Sequence, residues 1–406
     1  MLKQYSGFPI PASLQDPILV DSLGLPRFWV TVWSFYALAD LASSSKVKQL
    51  RYVENLYEFA DQLNGPGSLD DAIATVNIKI LGEILEAYFV TIQNQSVVNK
   101  SSQTKWMTAF QFVRDIVLRL TNSDLPLKQI HLIEAKVNKL NMLYQQLRIA
   151  KQRTPEILRS LPASVVEALY QILDPASPTN PFRNEAAKWR AFSIFIVLLH
   201  QGLRRGELLL LPVDAVKSGF DTKSGKDRYW LSIIENPYED EDPRYSKPGI
   251  KTADSIRQVP LSQLTANIIQ EYAENYRGKP NHSFLINSQH EKPLSTEAIT
   301  LLFRKITASL PKAVMNDLEQ RTGKKSITAH DLRHTCAVVR LNQLLIQGDS
   351  MDEALQKMRT FFGWSRSSDM PRKYARAVFE DRLASVWNNV FDDRVAILRA
   401  IPGSQI

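Results

Sequence analysis

Four short stretches of this chain carry side chains whose types and order could act together on one chemical group. Gly202-Leu203-Arg204-Arg205-Gly206-Glu207-Leu208 sets an arginine after a glycine, with a carboxylate three positions on. His330-Asp331-Leu332-Arg333-His334 sets a second arginine between two histidines, and Trp364 and Tyr374 follow in Phe361-Phe362-Gly363-Trp364 and Arg372-Lys373-Tyr374. A guanidinium is a planar, permanently charged fork that matches two phosphate oxygens at once. A histidine can move a proton and a phenol can serve as a nucleophile. Two well-separated arginines, a histidine before the second and a late tyrosine can therefore hold a phosphodiester, stabilise the charge that builds on it, and attack it.

Each piece alone has an ordinary structural explanation. Arg204 with Glu207 could be a surface pair worth a few tenths of a kcal/mol (~0.3). A tryptophan is usually core, and a tyrosine on an amphipathic helix usually packs. The ordered set is what points to chemistry. His330, Arg333 and His334 fall at i, i+3 and i+4, on one face of a helix. Thr328 is placed to cap the start of that helix, and Leu332, Ala337, Val338 and Leu341 supply its apolar side. Arg205 points about 100° away from Arg204 on a helix, which makes it the poorer phosphate ligand. A zinc site at His330 and His334 lacks the glutamate after the first histidine and a third ligand. The single cysteine, Cys336, excludes an intramolecular disulfide and reads as a small core residue. No phosphate-binding glycine loop, dinucleotide turn or spaced acidic cluster is present, so the expectation is no cofactor and no metal. Glu239-Asp240-Glu241-Asp242 reads as a solvated loop.

The elements that must position these groups are mostly helical. Arg27 to Ala42 is apolar nearly all round, which suits burial or an assembly surface. Ser43-Ser44-Ser45 breaks it and can cap the next helix, where Val47, Leu50, Val53, Leu56 and Phe59 recur at three-residue spacing. Asn64-Gly65-Pro66-Gly67 is a stop. Helices are expected around 78–92, 106–120 and 130–147, with no strand in this half. Lys151-Gln152-Arg153-Thr154-Pro155 reads as a linker, followed by helices over 155–173 and 185–199. Tyr229 to Ile234 and Ser255 to Leu261 read as paired strands. After Pro260 the pattern is helical again, with Ser295 as an N-cap and Ser350-Met351-Asp352-Glu353 as a capping box. The expected fold is mainly α with a small β-sheet: a helical domain over 1–150, an α+β domain over 151–390, and a tail over 391–406.

In this order and spacing, from about Gly202 to Tyr374, the chain resembles the tyrosine recombinases, the phage-integrase family. The resemblance implies a core-binding-like N-terminal domain and a catalytic C-terminal domain. It implies a site made of Arg204, Lys251, His330, Arg333, Trp364 and Tyr374, with Glu207 in support. Lys251 precedes the Arg257-Gln258-Val259-Pro260-Leu261 strand, as the hairpin lysine of the family precedes its strand, and Lys247 competes for the part. Many members carry histidine at the Trp364 position and some carry tryptophan. An indole N–H still donates to a phosphate oxygen but cannot shuttle a proton. The implied reaction is cutting and rejoining of double-stranded DNA through a 3′-phosphotyrosyl link, by a tetramer, without metal or ATP, and with accessory DNA-bending or directionality proteins as possible partners. Related alternatives are a type IB topoisomerase, a telomere-resolving strand transferase, or a DNA-binding architectural protein that has lost catalysis.

Bulk properties agree with a nucleic-acid partner without demanding one. Across 406 residues, 50 Lys and Arg face 42 acids, a formal charge of +8, with 44 % hydrophobic and 23 % charged residues. Basic surface gains free energy on DNA by releasing condensed counterions. The amino-terminal residues show no apolar targeting segment, and the longest apolar run is far short of the ~20 residues a membrane span needs. A cytoplasmic, nucleoid-associated protein with no membrane partner is expected. Ala377, Val378, Leu383, Val386 and Trp387 form an apolar stripe after Tyr374, and Val390-Phe391 and Val395 to Leu398 add a second patch. Both suit docking on a neighbouring protomer or packing on the same domain.

Overall fold

The computed structural model describes residues 2–3, 17–95, 100–124, 127–145, 160–222, 225–236, 238, 242–244, 247–250 and 252–387. The chain divides into two compact units, Met1–Pro155 and Glu156–Ile406.

The first unit is a helical cluster. Its elements are α1 (Phe28–Ala37), α2 (Ser43–Asn64), α3 (Ser68–Ala74), α4 (Ile78–Gln93), α5 (Lys100–Asp124) and α6 (Leu127–Gln145). A two-residue antiparallel pair, β1 (Leu2–Lys3) with β2 (Ile18–Leu19), is a departure from the strand-free expectation. The core gathers Trp33, Val53, Leu56, Tyr57, Ile84, Trp106 and Phe112. Each such side chain contributes about 1.5–3 kcal/mol by leaving water. The N-cap position of α2 is Ala42, one residue ahead of the triple serine, and the helix begins at Ser43. Helix α1 divides its all-round apolarity, burying Val30 and Trp33 and leaving Phe28 and Phe35 exposed.

The second unit includes α7 (Ala163–Leu173), which starts behind Pro162, so the expected 155–173 helix is not continuous, while its 155–159 part lies outside the described residues. Then follow α8 (Glu185–Gln201), α9 (Arg205–Leu210), β3 (Val216–Asp221), β4 (Lys226–Ile233) and β5 (Arg257–Leu261). The three strands form an antiparallel meander in the order β3-β4-β5, with Leu231 opposite both Val216 and Val259. The sequence shows β4 and β5. It conceals β3, whose Val-Lys-Ser-Gly-Phe-Asp is exposed along most of its length and so lacks a buried alternating face.

Six α-helices follow among the described residues: α10 (Gln263–Glu271), α11 (Thr296–Ala308), α12 (Lys312–Thr322), α13 (Ala329–Ile346), α14 (Met351–Phe362) and α15 (Met370–Trp387). Between α10 and α11 the chain is not simply helical, because Phe284 bridges to Pro212 and Asn287 to Pro293. Ser295, Thr328 and Ser350 cap their helices as their types predict, and the last two form full capping boxes with Asp331 and Glu353. Losing such a cap costs about 1 kcal/mol. Helix α8 is buried along most of its length in the main core, while α13, α14 and the first half of α15 close a second core around Leu341, Met358 and Phe362.

Asp242 corrects the solvated-loop expectation. It is buried and receives the Arg244 guanidinium at 2.7–3.1 Å, while Arg244 Nη1 donates to the carbonyls of Leu209 and Leu294. A buried carboxylate persists only when paired, and Arg244 two residues on provides the pair.

Candidate active site

The first arginine box is built on a helix break. Helix α8 ends at Gly202, which is left-handed at φ 58°. A Cβ there would stand 2.4 Å from Phe362 Cε1 and 3.0 Å from Cys336 Sγ, so both the turn and the close approach require glycine. Arg204 is not helical as the spacing suggested. It is the extended residue ahead of α9, and Glu207 reaches back one turn to accept its backbone N–H at 2.9 Å and its Nη1 at 2.5 Å.

Glu207 is the hub of the site. It is 1 % exposed and also accepts Arg257 Nη2 at 3.0 Å, with Arg333 Nη1 at 3.8 Å. Burial by itself would raise this carboxyl, but Arg257, Arg333 and Arg204 together hold it below its usual range. Arg257, which motif reading treated only as part of a strand, spends its fork on protein atoms: Nε to Phe361 O at 2.7 Å, Nη1 to Ser255 O at 2.7 Å, and Nη2 to Glu207.

Three arginines also grip three successive carbonyls at the end of α14. Arg257 takes Phe361 O, Arg333 Nη2 takes Phe362 O at 2.9 Å, and Arg204 Nη2 takes Gly363 O at 3.2 Å. A helix C-terminus presents unpaired carbonyls and a partial negative charge, so cations belong there. Gly363 is left-handed at φ 58°, and a Cβ on it would lie 2.8 Å from Asp254 O. This grip fixes the turn that leads directly into Trp364.

Helix α13 presents the second box. Arg333 is buried, and its Nη1 donates to Gly202 O at 2.5 Å. Burial, then the neighbouring Arg204, brings its pKa down to about 10. His330 lines a cleft of about 890 Å³ together with Arg204, Arg205, Arg304, Lys325 and Thr328. Arg205, set aside as a phosphate ligand, donates through Nη1 to Thr300 at 3.1 Å on the wall of that cleft. Burial and the Arg333 charge lower the pKa of His330.

Tyr374 is enclosed rather than presented. It is 0 % exposed, and its ring stacks on Trp364 at 5.2 Å and 14°, which in turn stacks on Phe362 at 4.9 Å and 12°. The hydroxyl meets His334 Nδ1 at 2.5 Å. The resemblance gave His330 the part of assisting the tyrosine proton, yet His334 is the residue on the hydroxyl; the His330 ring sits against the His334 ring at 4.1 Å. His334 lies one residue past Arg333 and four past His330, so the shared helix face was its only sequence signal. Burial, then His330, keeps His334 neutral by pushing its pKa down to about 3, and burial pushes the Tyr374 phenol up.

Arg204, Glu207, His330, Arg333, Trp364 and Tyr374 thus come together from α9, α13, the end of α14 and α15. Lys251 lies outside the described residues. Its competitor Lys247 is exposed on the same loop, and the loop returns past Gly249, whose carbonyl stands 3.0 Å from where a Cβ on Gly206 would lie. Of the apolar stripe after Tyr374, Ala377 and Val378 are buried in the core of their own unit beside Leu341 and Met358. The Leu383, Val386 and Trp387 side chains and the 391–406 tail lie outside the described residues. Among the described residues no group of His, Cys, Asp or Glu could hold a metal ion, and no helix is long and apolar enough to cross a membrane.

The crystal structure of XerA recombinase is 14 % identical, covering 88 % of this chain and 97 % of its own, with a TM-score of 0.34. XerH site-specific recombinase bound to palindromic difH substrate, in a post-cleavage complex, is 14 % identical over 76 % of this chain and 72 % of its own, with a TM-score of 0.43. XerH in a pre-cleavage complex with difH is 15 % identical over 88 % and 95 %, with a TM-score of 0.38. No curated protein sequence matches the chain. The model of the phage integrase family matches residues 159–380, more than half of the chain and the span in which the site residues named above lie, and the chain belongs to that family.

Proposed function

We propose that this protein is a site-specific DNA recombinase or integrase that cuts and rejoins duplex DNA through a 3′-phosphotyrosyl intermediate. The observation that supports this most is the charge balance around Glu207. Three guanidinium groups against one buried carboxylate leave a local charge of +2 beside a cleft that Arg204 and His330 line. A phosphodiester carries one negative charge, and the pentavalent phosphorane formed by attack carries more. A preset excess of positive charge therefore favours the transition state over the ground state.

In the proposed reaction, Tyr374 Oη bonds to phosphorus and the bond to the 5′-oxygen breaks. Arg204 and Arg333, with the Trp364 indole N–H, hold the non-bridging oxygens. Lys251 gives the leaving 5′-oxygen its proton, and once Tyr374 has left its hydrogen bond to His334, His330 takes the proton of the phenol. The phosphodiester energy is retained in the tyrosyl ester, so the reverse attack by a 5′-hydroxyl rejoins a strand. Neither metal nor nucleotide enters the scheme. Tyr374 must leave its stack on Trp364 to reach a phosphate, so DNA binding and tyrosine release are coupled steps. The N-terminal helical unit, read as a core-binding domain over 1–150, adds non-specific phosphate contacts. Strand exchange is by a tetramer on paired sites, with the 391–406 tail as a docking segment, and accessory proteins set direction.

The test is covalent trapping. Nicked duplexes with a randomised core are incubated with the protein, denatured, and the protein-linked DNA is recovered and sequenced. A tyrosine adduct on the 3′ end at the break, with a free 5′-hydroxyl on the other end, at one recovered sequence, is expected. Sequence-independent nicking with relaxation of supercoils would instead favour the topoisomerase reading, hairpin ends the telomere-resolving one, and binding without any adduct the architectural one.

A further inference from the structure

Resting on the recombinase reading, one residue outside the predicted set touches the arginine that faces the cleft. Ser255 is fully buried in the one-turn helical segment Ala253–Ser255 that precedes β5. Its Oγ accepts Arg204 Nη1 at 2.9 Å and pairs with Thr252 Oγ1 at 3.1 Å. Its carbonyl accepts Arg257 Nη1, and its N–H donates to Thr252 O at 2.9 Å. Gly363 packs so closely that a Cβ there would lie 2.9 Å from Ser255 Cα. Arg204 hence has its head held on three sides: by Glu207, by Gly363 O and by Ser255 Oγ.

These three restraints differ in kind. Glu207 supplies charge and Gly363 supplies a carbonyl, and both also serve other arginines or the turn. Ser255 Oγ is the contact from the β4–β5 connection to the Arg204 head, on the same strand-side segment that carries the lysine loop. A fork aimed at a phosphorane must be held within a fraction of an ångström, about 0.5 Å, to keep its benefit. Glu207 and the longer Gly363 O contact hold one hydrogen on each terminal nitrogen, and the Ser255 hydroxyl adds a second anchor on Nη1 that helps set the plane of the fork.

We propose that Ser255 is a positioning residue that orients the Arg204 guanidinium toward the scissile phosphate, with the Thr252 hydroxyl fixing the direction of the Ser255 hydroxyl in turn. Thr252 immediately follows Lys251 in sequence. The pair therefore ties the aim of the arginine to the loop that carries the proposed proton donor.

The experiment compares wild type, Ser255→Ala and Thr252→Val on the duplex that wild-type trapping recovers. Two versions of that duplex are used, one with the natural phosphodiester and one with a methylphosphonate at the scissile position. The methyl group removes the negative charge that Arg204 is there to meet. Ser255→Ala should slow adduct formation on the phosphodiester about tenfold, the equivalent of one charge-assisted hydrogen bond, with DNA affinity unchanged. On the methylphosphonate, Ser255→Ala should come within about twofold of wild type, because an unaimed charge matters little to a neutral group. Thr252 is exposed, so Thr252→Val keeps the fold and should show the same pattern at about two- to threefold. Equal slowing of Ser255→Ala on both substrates would make its role merely structural and overturn the proposal, as would wild-type rates on the phosphodiester. Absence of any adduct with the wild-type protein would instead overturn the recombinase reading, and this inference with it.

Discussion

The arginine cluster around Glu207 and the tyrosine pocket around His334 lie against the same turn, and they are built on opposite principles. In the cluster charged groups dominate and each is hydrogen-bonded: Glu207 meets three arginines, and the arginines meet Glu207, the Ser255 hydroxyl and the carbonyls of Gly202, Ser255 and 361–363, with a net positive charge left over. In the pocket every group is neutral: a phenol raised by burial, an imidazole lowered by burial, and a stack of aromatic rings. Charged groups held by many partners cannot relax cheaply, because each lost partner leaves a desolvated charge. A neutral ring held by stacking and one hydrogen bond can leave for a few kcal/mol (about 2–4). The cluster is thus suited to stay fixed and receive a phosphate, and the pocket is suited to store a group that must move.

The sharpest way to break that contrast is Tyr374→Phe. Covalent attachment should vanish, while DNA affinity stays within about twofold, since phosphate contacts spread over a large surface set affinity. Adducts from the Phe variant would remove Tyr374 from the role of nucleophile and make its pocket ordinary core.

Arg204→Lys and Arg333→Lys probe the cluster. Each keeps the charge and loses the fork, so cleavage should fall about 10²–10³-fold with a much smaller loss of binding. Equal losses in single-turnover rate and in affinity would mean that the cluster binds DNA without favouring the transition state.

The lysine loop gives a smaller and more selective effect. Lys251→Ala should slow cleavage about 10–10²-fold, and a duplex with a 5′-bridging phosphorothiolate should restore it, because a thiolate leaves without a proton. Lys247→Ala should show little loss and little rescue. The reverse pattern would transfer the role to Lys247.

Stability against pH tests the neutrality of the pocket. His334 has a folded pKa of about 3, below the ~6.5 of an unfolded histidine, so between those values the unfolded chain binds a proton that the folded one refuses. Stability must then fall as pH drops below about 6.5, and it goes on falling toward 3. His200 and His282, each lowered to about 4 first by burial, act with the same sign. The informative quantity is the difference between wild type and His334→Asn in urea unfolding midpoints from pH 7.5 to about 4.5. The variant should show the shallower slope, and parallel curves would mean that the pocket accepts a charged imidazole. The smallest effect is expected from chelation: excess EDTA without nucleotide should leave cleavage within about twofold, since the proposed positive charge is supplied by side chains. Strict dependence on magnesium would contradict the scheme.

Much of the architecture was legible because it depends on local patterns. Most of the longer helices, their caps at Ser295, Thr328 and Ser350, and the β4–β5 pair follow from periodicity and residue type over a few turns, whereas the short α3 and the extended Arg204 were not read. The parts that were not legible depend on partners distant in sequence. Arg257 looked like a strand residue until Glu207 and Phe361 O, 50 and 104 positions away, converged on it. Asp242 looked solvated because its partner, Arg244 two residues on, is itself held in place by the carbonyls of Leu209 and Leu294, 35 and 50 positions from that arginine.

The order and residue types of Arg204, His330, Arg333, Trp364 and Tyr374 were determined by the sequence alone, and spacing placed His330 and Arg333 on one face of a helix. Only the tertiary structure decided which histidine meets the tyrosine. His330 and His334 share one face of α13, and the choice between them depends on where α15 lays Tyr374 across that face. That position is set by burial of Ala377 and Val378 and by the stack on Trp364, interactions between elements that no local pattern encodes.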